Sequence, residues 1–176
     1  MSESGSMHPQ IIEHEDRWIL LPLRGSRVVG VDWRPEEVGL LLDTDFLIVI
    51  GYDAELSPQP VAKDAIGRHQ IGHWRRDEVE NALKSEILSP VFFKSGGARV
   101  AFRNGWKLFL PECPATSPAA VVAGSLVLWT RAGLAQLADY PVRRIDPWTG
   151  QLVTTPEWPP RPESLDIDSE SDDING

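Results

Sequence analysis

Residues 98–110 read "ARVAFRNGWKLFL", in which Val100 and Phe102 alternate with Arg99, Ala101 and Arg103 up to an Asn-Gly pair, and Trp106, Leu108 and Leu110 alternate with Lys107 and Phe109 beyond it. Side chains two apart in a strand point the same way, so the alternation predicts two half-buried strands. Asn104-Gly105 between them predicts a type I′ hairpin turn, whose two central residues both need positive φ.

The stretch "VGLLLDTDFLIVI" at 38–50 overlays this hairpin when shifted by 60 residues. The shift sets Leu23 against Leu83, Val28 against Leu88, Val31 against Val91 and Trp33 against Phe93. It also sets Leu40 against Val100, Leu42 against Phe102, Phe46 against Trp106, Ile48 against Leu108 and Ile50 against Leu110. The turns correspond as well, "RPEE" at 34–37 with "KSGG" at 94–97 and "DTD" at 43–45 with "RNG" at 103–105. The pattern predicts two three-stranded meanders, about 23–50 and 83–110, as an internal repeat. Val29, Val31 and Trp33 are expected on the core face of the first strand, and Val91 and Phe93 on that of its counterpart in the second unit. On the outer face the two units differ, with Arg99, Arg103 and Lys107 in the second and Gly39, Leu41, Leu47 and Val49 in the first. A greasy outer face predicts cover by the helix at 77–87, by a strand at 125–131 or by another subunit, the last making the chain a homo-oligomer.

In "RRDEVENALKSEI", Val79, Ala82, Leu83 and Ile87 recur at helical spacing. Asp77 stands as the expected N-cap, with acids in the first turn and Lys84 near the end. A second short helix is expected at 132–140, a strand at 125–131, an N-terminal strand within 17–22, and a long irregular connection at 51–73. The fold class is therefore α+β and mostly antiparallel β.

Composition sharpens the boundaries. The 176 residues are 41% hydrophobic, enough for one core. The longest apolar runs fall far short of the roughly 20 residues of a membrane span. The net charge is −9, but ten of the 26 acids lie in residues 1–16 and 163–176, which hold no Lys or Arg. The body 17–162 has all 17 basic residues against 16 acids, a charge of +1. That is not the basic footprint of a nucleic-acid binder. A β-rich domain over 17–150 is expected, with a flexible N-terminus at 1–16, where Met7 is a second candidate start. A disordered Pro-rich acidic tail is expected at 151–176. Cys113 stands alone, which precludes an intrachain disulfide and suits a reducing cytoplasm.

Candidate chemistry is sparse. His69 and His73 are four apart, the spacing of some zinc sites, but Gly67 and Gly72 argue against the helix that spacing needs, so no metal and no cofactor are expected. Cys113 lies between Pro111 and Pro114 with no base in view, and reads as a structural thiol. "DIDSESDD" in the tail lacks the central glycine and final glutamate of a calcium loop. "HWRRDE" at 73–78 joins an aromatic residue to two arginines, a composition of binding hot spots. The binding candidates are His69, His73, Trp74, Arg75, Arg99 and Arg103.

The lead-in "PLRGSRVVGV", the run "LFLPE" after the second meander and the final "SLVLWTRAGLA" complete a pattern over residues 20–138. It resembles a family of small actinobacterial domains of unknown function, some of which look like immunity proteins of toxin systems. The resemblance implies a protein partner and carries no site residues. The functional expectation is a non-enzymatic interaction domain, an immunity-like factor or antitoxin working by surface complementarity in the cytoplasm. The alternative is a ligand-binding or weakly enzymatic domain with a pocket near 67–76.

Overall fold

The computed structural model describes residues 11–58, 67–112, 117–135, 141–155 and 157–159. The chain begins with β1 (Ile11–Glu13) and β2 (Arg17–Leu20). The first meander follows as β3 (Val28–Trp33), β4 (Val38–Leu42) and β5 (Phe46–Ile50). Next come β6 (Glu55–Ser57), β7 (His69–Gln70), a 3-10 turn at Ile71–His73 and helix α1 (Arg76–Leu83). The second meander is β8 (Ile87–Phe93), β9 (Ala98–Phe102) and β10 (Lys107–Leu110). β11 (Ala119–Ala123), β12 (Leu126–Thr130), β13 (Gly133–Leu134) and β14 (Val142–Arg144) complete the order.

The two meanders belong to two different sheets, the first at the edge of one and the second in the middle of the other. One has six strands in the order β13-β12-β11-β5-β4-β3, the other eight in the order β14-β1-β2-β8-β9-β10-β6-β7. Every neighbouring pair is antiparallel except β1 and β14. The strand that leaves each meander joins the other: β6 follows β5 but pairs with β10, and β11 follows β10 but pairs with β5. Neither meander is complete without the other.

The sheets enclose one apolar core to which Leu40, Ile48, Val121 and Trp129 contribute from one side and Leu56, Phe92, Val100 and Leu108 from the other. Phe92 and Trp129 meet across it with ring centroids 4.7 Å apart. The sheets are stitched at one corner, where Arg27 and Glu86 bridge and the amide of Gly25 donates to the Ile87 carbonyl at 2.8 Å. Arg131, at the end of β12, clamps the β8–β9 turn by donating to the carbonyls of Gly96 at 3.1 Å, of Ser117 at 2.7 Å and of Pro111.

The 60-residue shift holds for the second and third strands, where Val38 pairs with Ile50 and Ala98 with Leu110. It fails by one residue in the first strands. Val31 pairs with Leu40, whereas Val91 pairs with Arg99, because the β8–β9 turn takes one residue more than the β3–β4 turn. Buried Val28 therefore matches buried Ile87, not exposed Leu88. Both strands carry an irregularity there, between Val28 and Gly30 and between Ile87 and Ser89. The irregularity turns Val29 outward, 57% exposed, correcting its expected core placement, and the one-residue slip likewise puts Val91 and Phe93 on the outer face with Arg99. The meanders are alike in form; that one was copied from the other is not established by this likeness.

The Asn-Gly turn is also different from the expected type I′. Among the described residues only glycines have positive φ, so Asn104 is not left-handed, while Gly105 is at +97°. The Gly105 amide donates to the Phe102 carbonyl and the Phe102 amide to the Trp106 carbonyl. This is a three-residue loop that closes on a left-handed glycine. Other expectations shift too. Ile11–Glu13, placed by sequence in the flexible end, is strand β1. The 51–73 connection contains β6 and β7, and Gly133–Leu134 is a strand where a helix was expected. These strands are two or three residues long, too short to show alternation. The N-cap of α1 is Arg75, two residues before the expected Asp77, and its amide donates to the Glu78 carboxylate at 2.9 Å. Cys113, Met7, His8, residues 136–140 and the tail from 160 onward lie outside the described residues.

Neither of the two expected covers lies over the greasy outer face. β11 and β12 join the first meander edge to edge, and the buried side of α1, Val79, Ala82 and Leu83, belongs to the central core. Gly30, Leu41, Leu47, Val122 and Val127 run abreast across five strands, with Leu41 45% and Val127 40% exposed. No helix among the described residues is long and apolar enough to cross a membrane.

Candidate functional site

Four of the six sequence candidates come together where α1 begins. The 3-10 turn brings His73 back over His69, so the two imidazoles stack with centroids 4.0 Å apart and planes 24° from parallel. Trp74 meets both edge-on, at 5.7 Å from His69 and 5.6 Å from His73, and its Nε1 donates to the His69 carbonyl at 3.3 Å. Trp106, at the start of β10, continues the ladder with its ring 5.4 Å from Trp74. The histidines are exposed while the two indoles are half-buried and rest on the core. Arg75 projects from the same place, its side chain 75% exposed, with a surface ion pair to Asp77 at 3.3 Å.

This arrangement is suited to contact and poorly suited to catalysis or chelation. Stacked imidazoles hold their ring nitrogens in two parallel planes, so the lone pairs do not converge on one metal position. Among the described residues no group of three or more His, Cys, Asp or Glu is placed to hold a metal ion. Ring faces and edges backed by a rigid core form an amphipathic surface of low conformational entropy, the property that makes Trp and Arg anchors at interfaces.

The other two candidates lie elsewhere. Arg103 sits in the β9–β10 turn, its side chain 66% exposed and paired with Glu86. Arg99 is on the outer face of the eight-stranded sheet, directly between Val91 and Phe109. Sequence reasoning reads Trp33 and Trp106 as core only, notes Arg76 only as part of the "HWRRDE" motif, and passes over Tyr52. The Trp33 and Tyr52 rings lie 6.4 Å apart at 29°, Arg76 sits 5.0 Å over Trp33, and Glu80 accepts from the Trp33 indole at 2.8 Å. With Arg34 and Pro35 they line a hollow of about 520 Å³. The Arg34 guanidinium is occupied by Asp32 at 2.9 Å and Glu37 at 2.8 Å, bonds that raise its pKa further. The spacing 33–52–76 offered no signal, because only the fold brings these residues together.

A second hollow, of about 380 Å³, lies beside Arg99 and includes Arg68, from the 67–76 stretch where a pocket was anticipated. Neither hollow is lined by His69, His73, Trp74 or Arg75. In comparisons with known proteins, no family model, no curated protein and no solved structure matches this chain.

Proposed function

We propose that the chain is a non-enzymatic interaction domain that docks a protein partner through the ladder of His73, His69, Trp74 and Trp106 and the adjoining Arg75. The observation that carries this reading is the ladder itself: two exposed imidazoles and an exposed arginine, loosely paired to Asp77, backed by two half-buried indoles. Side chains of this kind dominate binding energy when a partner excludes water from them. The near-neutral body is consistent with recognition by shape and ring contacts more than by long-range charge. An immunity-like or antitoxin role in the cytoplasm, blocking a partner by surface complementarity, is the form of this function that the sequence resemblance supports.

The test places a photo-crosslinking amino acid at position 73 and, separately, at Arg143, which is exposed on β14 far along the other sheet edge. A discrete adduct from position 73, absent from position 143 and at least tenfold reduced by Arg75→Ala, is the expected result. Equal labelling from both positions overturns the reading, as does turnover of a small substrate that disappears on changing His69 or His73.

A further inference from the structure

The outer face of the eight-stranded sheet holds a second site, unrelated to the ring ladder. Ile19, Val91, Arg99, Phe109 and Glu55 stand abreast across five neighbouring strands. Phe93, two residues from Val91, faces the same way, and Arg17 is directly opposite it. Three guanidinium groups therefore lie over this face, and they are not equivalent. Arg17 sits 5.2 Å over the Phe93 ring but is held by Asp16 at 2.9 Å. Arg68 sits 4.1 Å over the Phe109 ring and is bound to Glu55. Arg99 is half-buried between them and has no carboxylate partner among the described residues.

We infer that the hollow beside Arg99, walled by Phe93 and Phe109, binds a small carboxylic acid with an apolar or aromatic body. The volume, about 380 Å³, falls at the lower end of small-molecule sites. Phe93 and Phe109 supply apolar lining, and Arg99 supplies the one guanidinium in the lining with no carboxylate partner among the described residues. A planar guanidinium receives a carboxylate through two parallel N–H bonds, a geometry that a half-buried position strengthens. A monoanion fits better than a phosphate, because Arg68 is committed to Glu55 and Glu112 lines the same hollow, so a second negative charge finds no second free guanidinium and meets a carboxylate. The turn that closes one end is rigid. A side chain at Gly97 would place its Cβ 2.7 Å from the Leu110 carbonyl oxygen, and Arg131 ties down Gly96. The hollow is thus preformed.

The same chemistry can come from a free acid or from the C-terminal carboxylate of a peptide ending in phenylalanine. Titration of the full chain with phenylacetate, with its neutral amide and with acetyl-Gly-Phe, followed by NMR shifts, separates these sources. Phenylacetate is expected to bind saturably below about 10 mM, with shifts centred on Arg99 and Phe109 and at least tenfold weaker binding of the amide. Stronger binding of the dipeptide assigns the site to peptide termini, and stronger binding of phenylacetate assigns it to free acids. Arg99→Met is expected to abolish binding and Arg99→Lys to restore part of it. Melting temperatures of both variants check that the sheet persists, and a Phe109→Leu variant provides a second reading if Arg99→Met unfolds. The inference is overturned by equal binding of acid and amide, by full binding in folded Arg99→Met, by shifts mapping elsewhere, or by no saturable shift with any probe.

Discussion

Glycines 97 and 72 look equivalent in sequence and differ sharply in space. A Cβ at Gly97 would lie 2.7 Å from a backbone oxygen of the neighbouring strand, whereas one at Gly72 would meet nothing within 4 Å. Gly97→Ala is expected to cost about 2 kcal/mol and Gly72→Ala less than about 0.5, read from urea midpoints at unchanged m. A second residue-level effect concerns acid. The hydrogen bond from Arg17 lowers the Asp16 pKa below its ordinary value of 3.8, against a smaller opposing effect of burial. A carboxyl whose folded pKa is depressed stabilises the fold above its unfolded pKa, and that contribution fades as pH falls through the folded value. Asp16→Asn should therefore flatten the stability curve below about pH 4 and leave its shape above pH 5 unchanged. The effect is small because the Asp16 side chain is 63% exposed. Denaturation midpoints across this range measure it.

At the scale of elements, the β9–β10 turn is joined to the helix that precedes its meander. Asn104 Nδ2 donates to the Ala82 carbonyl at 2.9 Å, in the last turn of α1, and its Oδ1 accepts from the Trp106 amide at 3.1 Å. In the matching turn of the first meander the Asp43 carboxylate accepts from the Arg27 amide at 3.0 Å, while Thr44 accepts from the Phe46 amide at 3.4 Å, and neither bond reaches a helix. Asn104→Ala is expected to destabilise by about 1 to 2 kcal/mol and to speed hydrogen exchange in both α1 and the turn, since it leaves a half-buried carbonyl unpaired. Thr44→Ala should cost no more than a few tenths. If exchange in α1 is unchanged in Asn104→Ala, the helix is held by its apolar side alone. The place of the turn at Asn104-Gly105 is legible in the sequence. The turn's type is not, because whether Asn adopts positive φ depends on what its amide can reach, and here it reaches the helix.

For the whole molecule, the crossed return of β6 and β11 makes the two sheets interdependent. Phe92 and Trp129 are fully buried and touch across the core from opposite sheets. Phe92→Ala is expected to cost about 3 to 5 kcal/mol and to lower both sheets in one transition. Tryptophan fluorescence and far-UV circular dichroism should then report the same midpoint; two separated midpoints would mean that the sheets unfold independently.

Hydrophobic periodicity alone determined the two meanders, the place of α1 and the inward set Leu40, Ile48, Val100 and Leu108, because side-chain direction in a strand or a helix is a local property with a fixed period. The tertiary structure decided the rest. Which strand a third strand pairs with is a contest between distant segments, and it went to β11 and β6 across the meanders. Strands of two or three residues exist only because a neighbour offers free backbone groups, so β1, β6, β7, β13 and β14 left no pattern to read. The ring ladder was half visible: His69, His73 and Trp74 are close in sequence, but their stacking depends on a 3-10 turn and on Trp106 arriving from another strand. Arg99 was legible as an outward cation. That it, of the three guanidinium groups over its face, has no carboxylate partner among the described residues followed from where Asp16 and Glu55 were placed by the strands on either side.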